Sequence, residues 1–293
     1  MSLSPLLWQK NVLLSPFSTF KIGGPAKLFL SLKSKEDCHA ALAYCQKHQI
    51  PFYILGKGSN TLFDDRGFDG AVLLNELNHF ERYENVLYGG SGLSFPWLGF
   101  QSAKCGLSGL EYAAGVPGSL GGAIFMNAGA MGQDIGEVIL EVEFLSKEGY
   151  SYLFSKEELL FKYRWSSFQL TKGIILSAKL KLKPLEQARE IQKEHLQKRQ
   201  ASQPLKEPSC GCIFRNLVHI SAGALIDELG LKGLEIGGAR VSQVHANFIV
   251  NTGNATAQDV LSLVELIEKK AFEKRGLKLQ KELHYLPYQK ENL

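Results

Sequence analysis

The stretch Gly115-Val116-Pro117-Gly118-Ser119-Leu120-Gly121-Gly122-Ala123-Ile124-Phe125-Met126-Asn127-Ala128-Gly129-Ala130-Met131-Gly132 constrains this chain more than any other. Its glycines stand among residues that are mostly apolar. A solvated glycine-rich linker would carry Ser, Lys or Glu instead. Glycine allows positive φ and the close approach of another backbone or a ligand. The stretch therefore reads as main chain wrapped tightly around something flat or charged. A glycine-rich turn with tight helix packing is the plainer alternative.

The chain has 293 residues, enough for two domains or for a two-lobed domain and a smaller one. At 45% hydrophobic and 21% charged, it can bury a normal core without metal or disulfide staples. The net charge of +4 suits an anionic small molecule. It does not demand nucleic acid, which needs a concentrated basic stripe. The densest basic stretch, Lys193–Arg199, reads as one face of a solvated helix. No nucleic-acid partner is expected. The five cysteines are odd in number and lack a framework spacing, which argues for a reducing, cytoplasmic setting. Leu3–Trp8 is a short apolar run with no basic residues before it and no cleavage-type site after it, so no signal peptide is expected. No apolar run approaches roughly 18–20 residues, so no membrane partner is expected either.

Ala26–Leu32 reads as a strand, and Ser34 with Asp37 reads as a capping box opening a helix through His48. Phe52–Leu55, Ala71–Leu74 and Val86–Gly90 read as strands, and Pro96–Lys104 as a helix. Glu137–Leu145 and Ile174–Leu182 follow as strands. The second alternates, with Ile174, Leu176, Ala178, Leu180 and Leu182 on one face and Ser177, Lys179 and Lys181 on the other. Pro184 ends it, and the polar helix Leu185–Ala201 marks a boundary. Beyond lie a helix Ser221–Leu229, a strand Ala246–Asn251, a helix opened by Thr256 and Asp259 and ended by Gly276, and a last strand Leu277–Leu286. The pattern is mixed α+β rather than strict βαβ alternation.

Other motifs carry chemistry. Gly56-Lys57-Gly58-Ser59-Asn60-Thr61 follows a strand, and its N–H groups could form an anion-binding nest with Ser59 and Asn60 as donors. It lacks the glycine spacing of a dinucleotide fingerprint and the ending of a P-loop, and it reads equally as a polar turn. In Tyr163-Arg164-Trp165-Ser166-Ser167-Phe168, aromatics shield a planar, permanently charged arginine suited to a carboxylate. A surface arginine stacked on an aromatic is the alternative. Cys210-Gly211-Cys212 invites a metal reading, but a zinc site needs about four ligands and none are spaced for it. A packing cysteine or a rigidly held reactive thiol at Cys212 remains. A cysteine-protease reading with His245 fails because the surrounding residues do not match. Glu282 shares one face of the last strand with Gln280 and His284, and by itself reads as solvent-facing.

Taken together and in this order, these motifs resemble the UDP-N-acetylenolpyruvoylglucosamine reductase family, also called UDP-N-acetylmuramate dehydrogenase, over nearly the full length. The likeness runs from Thr19–Ala26 through Leu55–Asn60, Gly109–Gly132, Tyr163–Phe168 and Gln203–Asn216. It continues through Leu234–Gly238, Val241-Ser242, His245–Asn251 and Lys281-Glu282. It implies a two-lobed FAD-binding domain of the vanillyl-alcohol-oxidase-like type plus a C-terminal α+β substrate-binding domain. The lobes would span 1–75 and 76–184, and the C-terminal domain 185–293.

The resemblance also implies ligands and roles. FAD would be held by Gly56, Lys57, Gly58, Ser59, Asn60 and Thr61 at its pyrophosphate. Gly115, Pro117, Gly118, Ser119, Gly121, Gly122, Asn127, Ala128 and Gly129 would line the flavin. NADPH would be the co-substrate, with hydride passing through the flavin to the vinyl carbon of an enolpyruvyl UDP-sugar. Tyr163, Arg164 and Asn216 would bind substrate, Arg164 stabilising charge that develops on its carboxylate. Glu282 would assist, and would need a raised pKa if it hydrogen-bonds that carboxylate directly. Most members of the family carry serine where this chain has Cys212, which would donate the proton; a thiol is mostly protonated at neutral pH. Nearby Arg215 could lower its pKa. Cys210 would be structural. The short path from Arg164 to Ser209 matches the family type without an inserted tyrosine loop. No metal is expected, and the protein is expected to act as a monomer. Another flavin oxidase, or a nucleotide-sugar binder that has lost flavin, are the competing functions. No tethering His or Cys stands in the glycine motifs, which argues against the first; the intact motifs argue against the second.

Overall fold

The structure is a computed structural model describing residues 6–289, so the apolar run Leu3–Trp8 lies partly outside the described residues. Its α-helices, among the described residues, are α1 (Lys35–Lys47), α2 (Phe95–Lys104), α3 (Leu120–Met126), α4 (Ala188–Ser202), α5 (Ala222–Glu228) and α6 (Ala257–Arg275). The caps read from the sequence set their ends. Ser34 and Asp37 exchange side-chain and backbone bonds at the start of α1. Thr256 and Asp259 do the same for α6. Gly276 closes α6 in the left-handed region, its N–H donating to the Phe272 carbonyl at 2.8 Å. Each such cap satisfies backbone groups that a helix end leaves open.

A four-stranded sheet runs in the order Gln9–Leu13, Pro25–Leu32, Phe68–Asn75, Phe52–Leu55. The chain forms two compact units. Unit one comprises residues 6–9, Phe29–Lys57 and Ala71–Arg199; unit two comprises Lys10–Leu28, Gly58–Gly70 and residues 200–289. In unit one an antiparallel five-stranded sheet has the order Ser151–Ser155, Ile139–Ser146, Gly173–Lys181, Val86–Gly90, Phe80–Tyr83. Its core gathers Phe95, Leu98, Leu110, Tyr112, Leu120, Ile124, Val142, Phe144 and Phe168. Here one expectation is corrected. The alternation holds from Ala178 to Leu182, where Lys179 and Lys181 are exposed, but Ile174 through Ala178 are all buried, Ser177 included. The strand is central and covered on both faces, and the Ser177 hydroxyl donates to Glu143 at 2.7 Å. Glu143 also takes the Lys35 ammonium of α1.

Unit two holds a sheet in the order Ser209–Cys212, Phe248–Asn251, Ala239–Val241, Glu235–Ile236. α6 buries Val260, Leu263, Val264 and Ile267 in a core shared with Phe20, Leu62, Phe214, Ile226 and Ile249. The expected last strand is also corrected. Only His284–Leu286 is a strand, paired in parallel with Thr61–Phe63. Residues before it have no continuous neighbour. Instead, Arg215 N–H donates to the Gln280 carbonyl and Glu282 N–H to the Ile213 carbonyl, each at 2.8 Å.

Among the described residues no helix is long and apolar enough to cross a membrane. No group of three or more His, Cys, Asp or Glu among them is placed to hold a metal.

Candidate active site

In unit one the glycine stretch turns into α3. Ser119 caps it, accepting the Gly122 N–H. Three of its glycines, Gly115, Gly121 and Gly129, are matched by close protein neighbours. A Cβ on Gly121 would meet Ser91 Cβ at 2.9 Å, one on Gly129 the Gln133 carbonyl oxygen at 2.5 Å, and one on Gly115 the Arg199 side chain at 2.7 Å. Gly56 belongs to this neighbourhood, since its Cβ would meet Ser119 Oγ at 2.5 Å. Gly122 differs: it is exposed, and its Cβ would find only Ser119 Oγ, at 3.4 Å.

α3 ends at Asn127, in the left-handed region at φ 43°. Its buried side chain donates to the Lys162 carbonyl and accepts the Gly136 N–H, both at 3.0 Å. The first bond anchors a short hairpin, Phe161–Lys162 with Trp165–Ser166, whose two-residue turn is Tyr163-Arg164. Arg164 adopts φ 54°, a conformation that costs a residue with a Cβ on the order of 1 kcal/mol. Strain of this kind gathers at functional positions. The Arg164 guanidinium donates to the Gly129 carbonyl at 2.8 Å and lies 5.2 Å from the exposed Tyr163 ring. Gln169 and Ser166 both donate to the Phe125 carbonyl. The arginine motif and the glycine stretch thus form one network, with Gln169 a member that no sequence spacing singled out.

In unit two the sheet pairing shifts between Ser209 and Cys212, a bulge in which Gly211 takes φ 80°. Glycine permits that turn without a Cβ clash. Cys210 is buried in the core, and desolvation pushes its thiol well above the ordinary range. Cys212 is half-buried. The chain just beyond the strand is clamped by Asn247, whose side-chain oxygen accepts the Phe214 N–H at 3.0 Å and whose side-chain nitrogen donates to the Phe214 carbonyl at 2.7 Å. Asn247 was not marked by the sequence. Glu282 is half-buried and joined through its N–H to Ile213, the residue after Cys212. Asn216 is exposed, its side chain accepting the Ala222 N–H at 3.1 Å. Burial and then the Arg215 charge push the His284 imidazole below its usual pKa.

The loop Gly56–Thr61 turns at Gly58, φ 60°, whose Cβ would overlap the Phe17 carbonyl oxygen at 2.1 Å. The N–H groups of Lys57, Gly58 and Asn60 take no partner among the described residues. The Asn60 side chain donates to the Glu282 carbonyl at 3.1 Å. Arg164 lies in unit one, Cys212 and Glu282 in unit two.

A profile described as FAD binding domain matches residues 26–152. With a loop of open N–H groups and an exposed glycine that no protein atom crowds, this defines an FAD-dependent oxidoreductase. A profile for the C-terminal domain of UDP-N-acetylenolpyruvoylglucosamine reductase matches residues 203–286. The reductase of Protochlamydia amoebophila is 47% identical over 97% of this chain and 95% of its own length. That of Chlamydia abortus is 46% identical over 97% and 96%. The crystal structure of the Thermus caldophilus reductase superposes with a TM-score of 0.82 at 35% identity, covering 97% of this chain and 99% of that one. The chain belongs to the UDP-N-acetylenolpyruvoylglucosamine reductase family, enzymes of peptidoglycan precursor synthesis.

The residues fit the cofactor. In a helix interior alanine is favoured over glycine by roughly 0.5–1 kcal/mol. Packing leaves room for alanine at Gly122, so no protein contact accounts for the glycine there, and its surface is open to a bound group. Unpartnered backbone N–H groups in a tight loop suit a pyrophosphate.

Proposed function

We propose that this protein uses NADPH to reduce the enolpyruvyl ether of UDP-N-acetylglucosamine-enolpyruvate to UDP-N-acetylmuramate. Bound FAD would supply the two-electron relay between nicotinamide and substrate. The Gly56–Thr61 loop would hold its pyrophosphate through backbone N–H groups, and the stretch Gly115–Gly129 would line its ring. Arg164 holds the substrate carboxylate as a planar, two-pronged donor and stabilises the negative charge that hydride addition pushes onto it. Cys212 Sγ–H delivers the proton to the neighbouring carbon, which completes the lactyl ether. Glu282 assists by fixing the donor network. Tyr163 and Asn216 contribute binding surface, both being exposed.

The observation that carries this reading is near-full-length kinship at 47% identity, with a half-buried thiol at the position expected of the proton donor. Support for the roles comes from local construction. Arg164 is held in a strained turn beside Gly129, and Glu282 is tied to the residue that follows Cys212.

Anaerobic half-reactions test it. In Cys212→Ala, NADPH should still bleach the yellow absorbance of the holoenzyme, while turnover of the enolpyruvyl substrate should fall about 100-fold or more, the usual worth of a positioned acid. Cys212→Ser should remain active. Undiminished turnover in the alanine variant would remove Cys212 from the mechanism.

A further inference from the structure

Glu282 sits just before the point where regular pairing begins. The parallel ladder matches His284 with Thr61, Tyr285 with Leu62 and Leu286 with Phe63. Ahead of it, the Glu282 backbone is held from two sides by groups that belong to no continuous strand. Its N–H donates to the Ile213 carbonyl at 2.8 Å. Its carbonyl accepts the Asn60 side-chain amide at 3.1 Å. Asn60 also takes the His284 N–H on its own carbonyl, at 3.1 Å. One residue therefore grips the chain on either side of Leu283, and its carboxamide stands in for the peptide group that another rung of ladder would supply.

We propose that Asn60 is a positioning residue for Glu282: its side chain fixes the carboxylate-bearing residue, while its backbone N–H remains available to an anion in the Gly56–Thr61 loop. The residue types fit. A carboxamide can donate to a carbonyl as a peptide N–H does. Asp has no donor in its ionised form, Ala has none at all, and Gln is one methylene too long for the same reach. The loop expected to cradle a phosphate and the residue expected to assist chemistry are thus mechanically one piece. This inference rests on the role of Glu282 given above.

The test combines two readouts on holoenzyme at saturating FAD. The first is amide hydrogen exchange at Glu282 and Leu283, which reports local opening. Asn60→Ala, and the near-isosteric Asn60→Asp as a second variant, should lose protection there about tenfold, the worth of one hydrogen bond of ordinary strength. The second is a double-mutant cycle on kcat with Glu282→Gln. Asn60→Ala should slow turnover about tenfold in the parent protein and less than twofold in the Glu282→Gln background. A residue serving only general structure would give the same fold-loss in both backgrounds, and that result overturns the proposal. Unchanged exchange at Glu282 and Leu283 overturns it, as does unchanged kcat in Asn60→Ala while Glu282→Gln is slow. Should Glu282→Gln turn over normally, the role of Glu282 itself falls, and the exchange result alone decides whether Asn60 holds that residue.

Discussion

Asp64 shows how one residue's surroundings set its chemistry. Its buried carboxylate accepts two bonds from the Arg66 guanidinium, at 3.0 and 2.8 Å, one from the Arg66 N–H and one from the Tyr285 hydroxyl. The Arg66 contact holds its pKa well below the ordinary carboxylate range. Burial together with that carboxylate pushes the Tyr285 phenol up to about 12. Because the folded-state pKa of Asp64 lies below its unfolded value, its stabilisation is complete above about pH 4 and is lost as pH falls toward the folded value. Asp64→Asn should therefore cost about 1 kcal/mol at pH 7 and progressively less below pH 4, read from urea unfolding at each pH. A constant difference across that range would assign the effect to packing. The two thiols beside Gly211 teach the same lesson. They stand two residues apart, yet Cys210 is core, in keeping with the structural role the resemblance implies for it, and Cys212 is half-buried. The bulge at Gly211 lies between them.

At the scale of elements, two glycines separate protein packing from ligand demand. Gly58 needs both its left-handed backbone and its missing Cβ. Gly58→Ala should destabilise the protein by about 2 kcal/mol or more, since strain and overlap add. Gly122→Ala should leave the apoprotein as stable as before or up to about 1 kcal/mol more so, through helix propensity. The same variant should weaken FAD binding. Thermal melts with and without FAD check both, and full FAD affinity in Gly122→Ala would remove that glycine from the cofactor surface. The helix caps were legible because Ser34 with Asp37, and Thr256 with Asp259, act over three residues. The buried face of Ser177 and the short last strand were not, because each depends on which neighbour covers the strand. Periodicity cannot report that.

For the whole molecule, a cofactor that binds only the folded state must stabilise it. At free FAD near 100 times its Kd the gain should be about 2.7 kcal/mol, seen as a rise in the melting temperature. No rise with added FAD would count against a flavin held by this fold. The family and its cofactor were legible as motifs in order, because catalytic and phosphate-binding chemistry admits few residue types at few spacings. Arg164, Cys212 and Glu282 are named through the resemblance to that family, since by themselves Arg164 and Glu282 read as surface residues and Cys212 stays open. What those residues rest upon was not legible. Residues 10–28 and 58–70 pack with the C-terminal unit, although they precede it by well over a hundred positions. Asn60 reaches Glu282 across a separation of 222 residues, and Asn247 clamps Phe214 across 33. The sequence by itself determined the local caps and the kinship. Only the tertiary structure decided which polar side chains hold the backbone of the site in place. Such bonds join groups distant along the chain, and their partners are chosen by packing rather than by spacing.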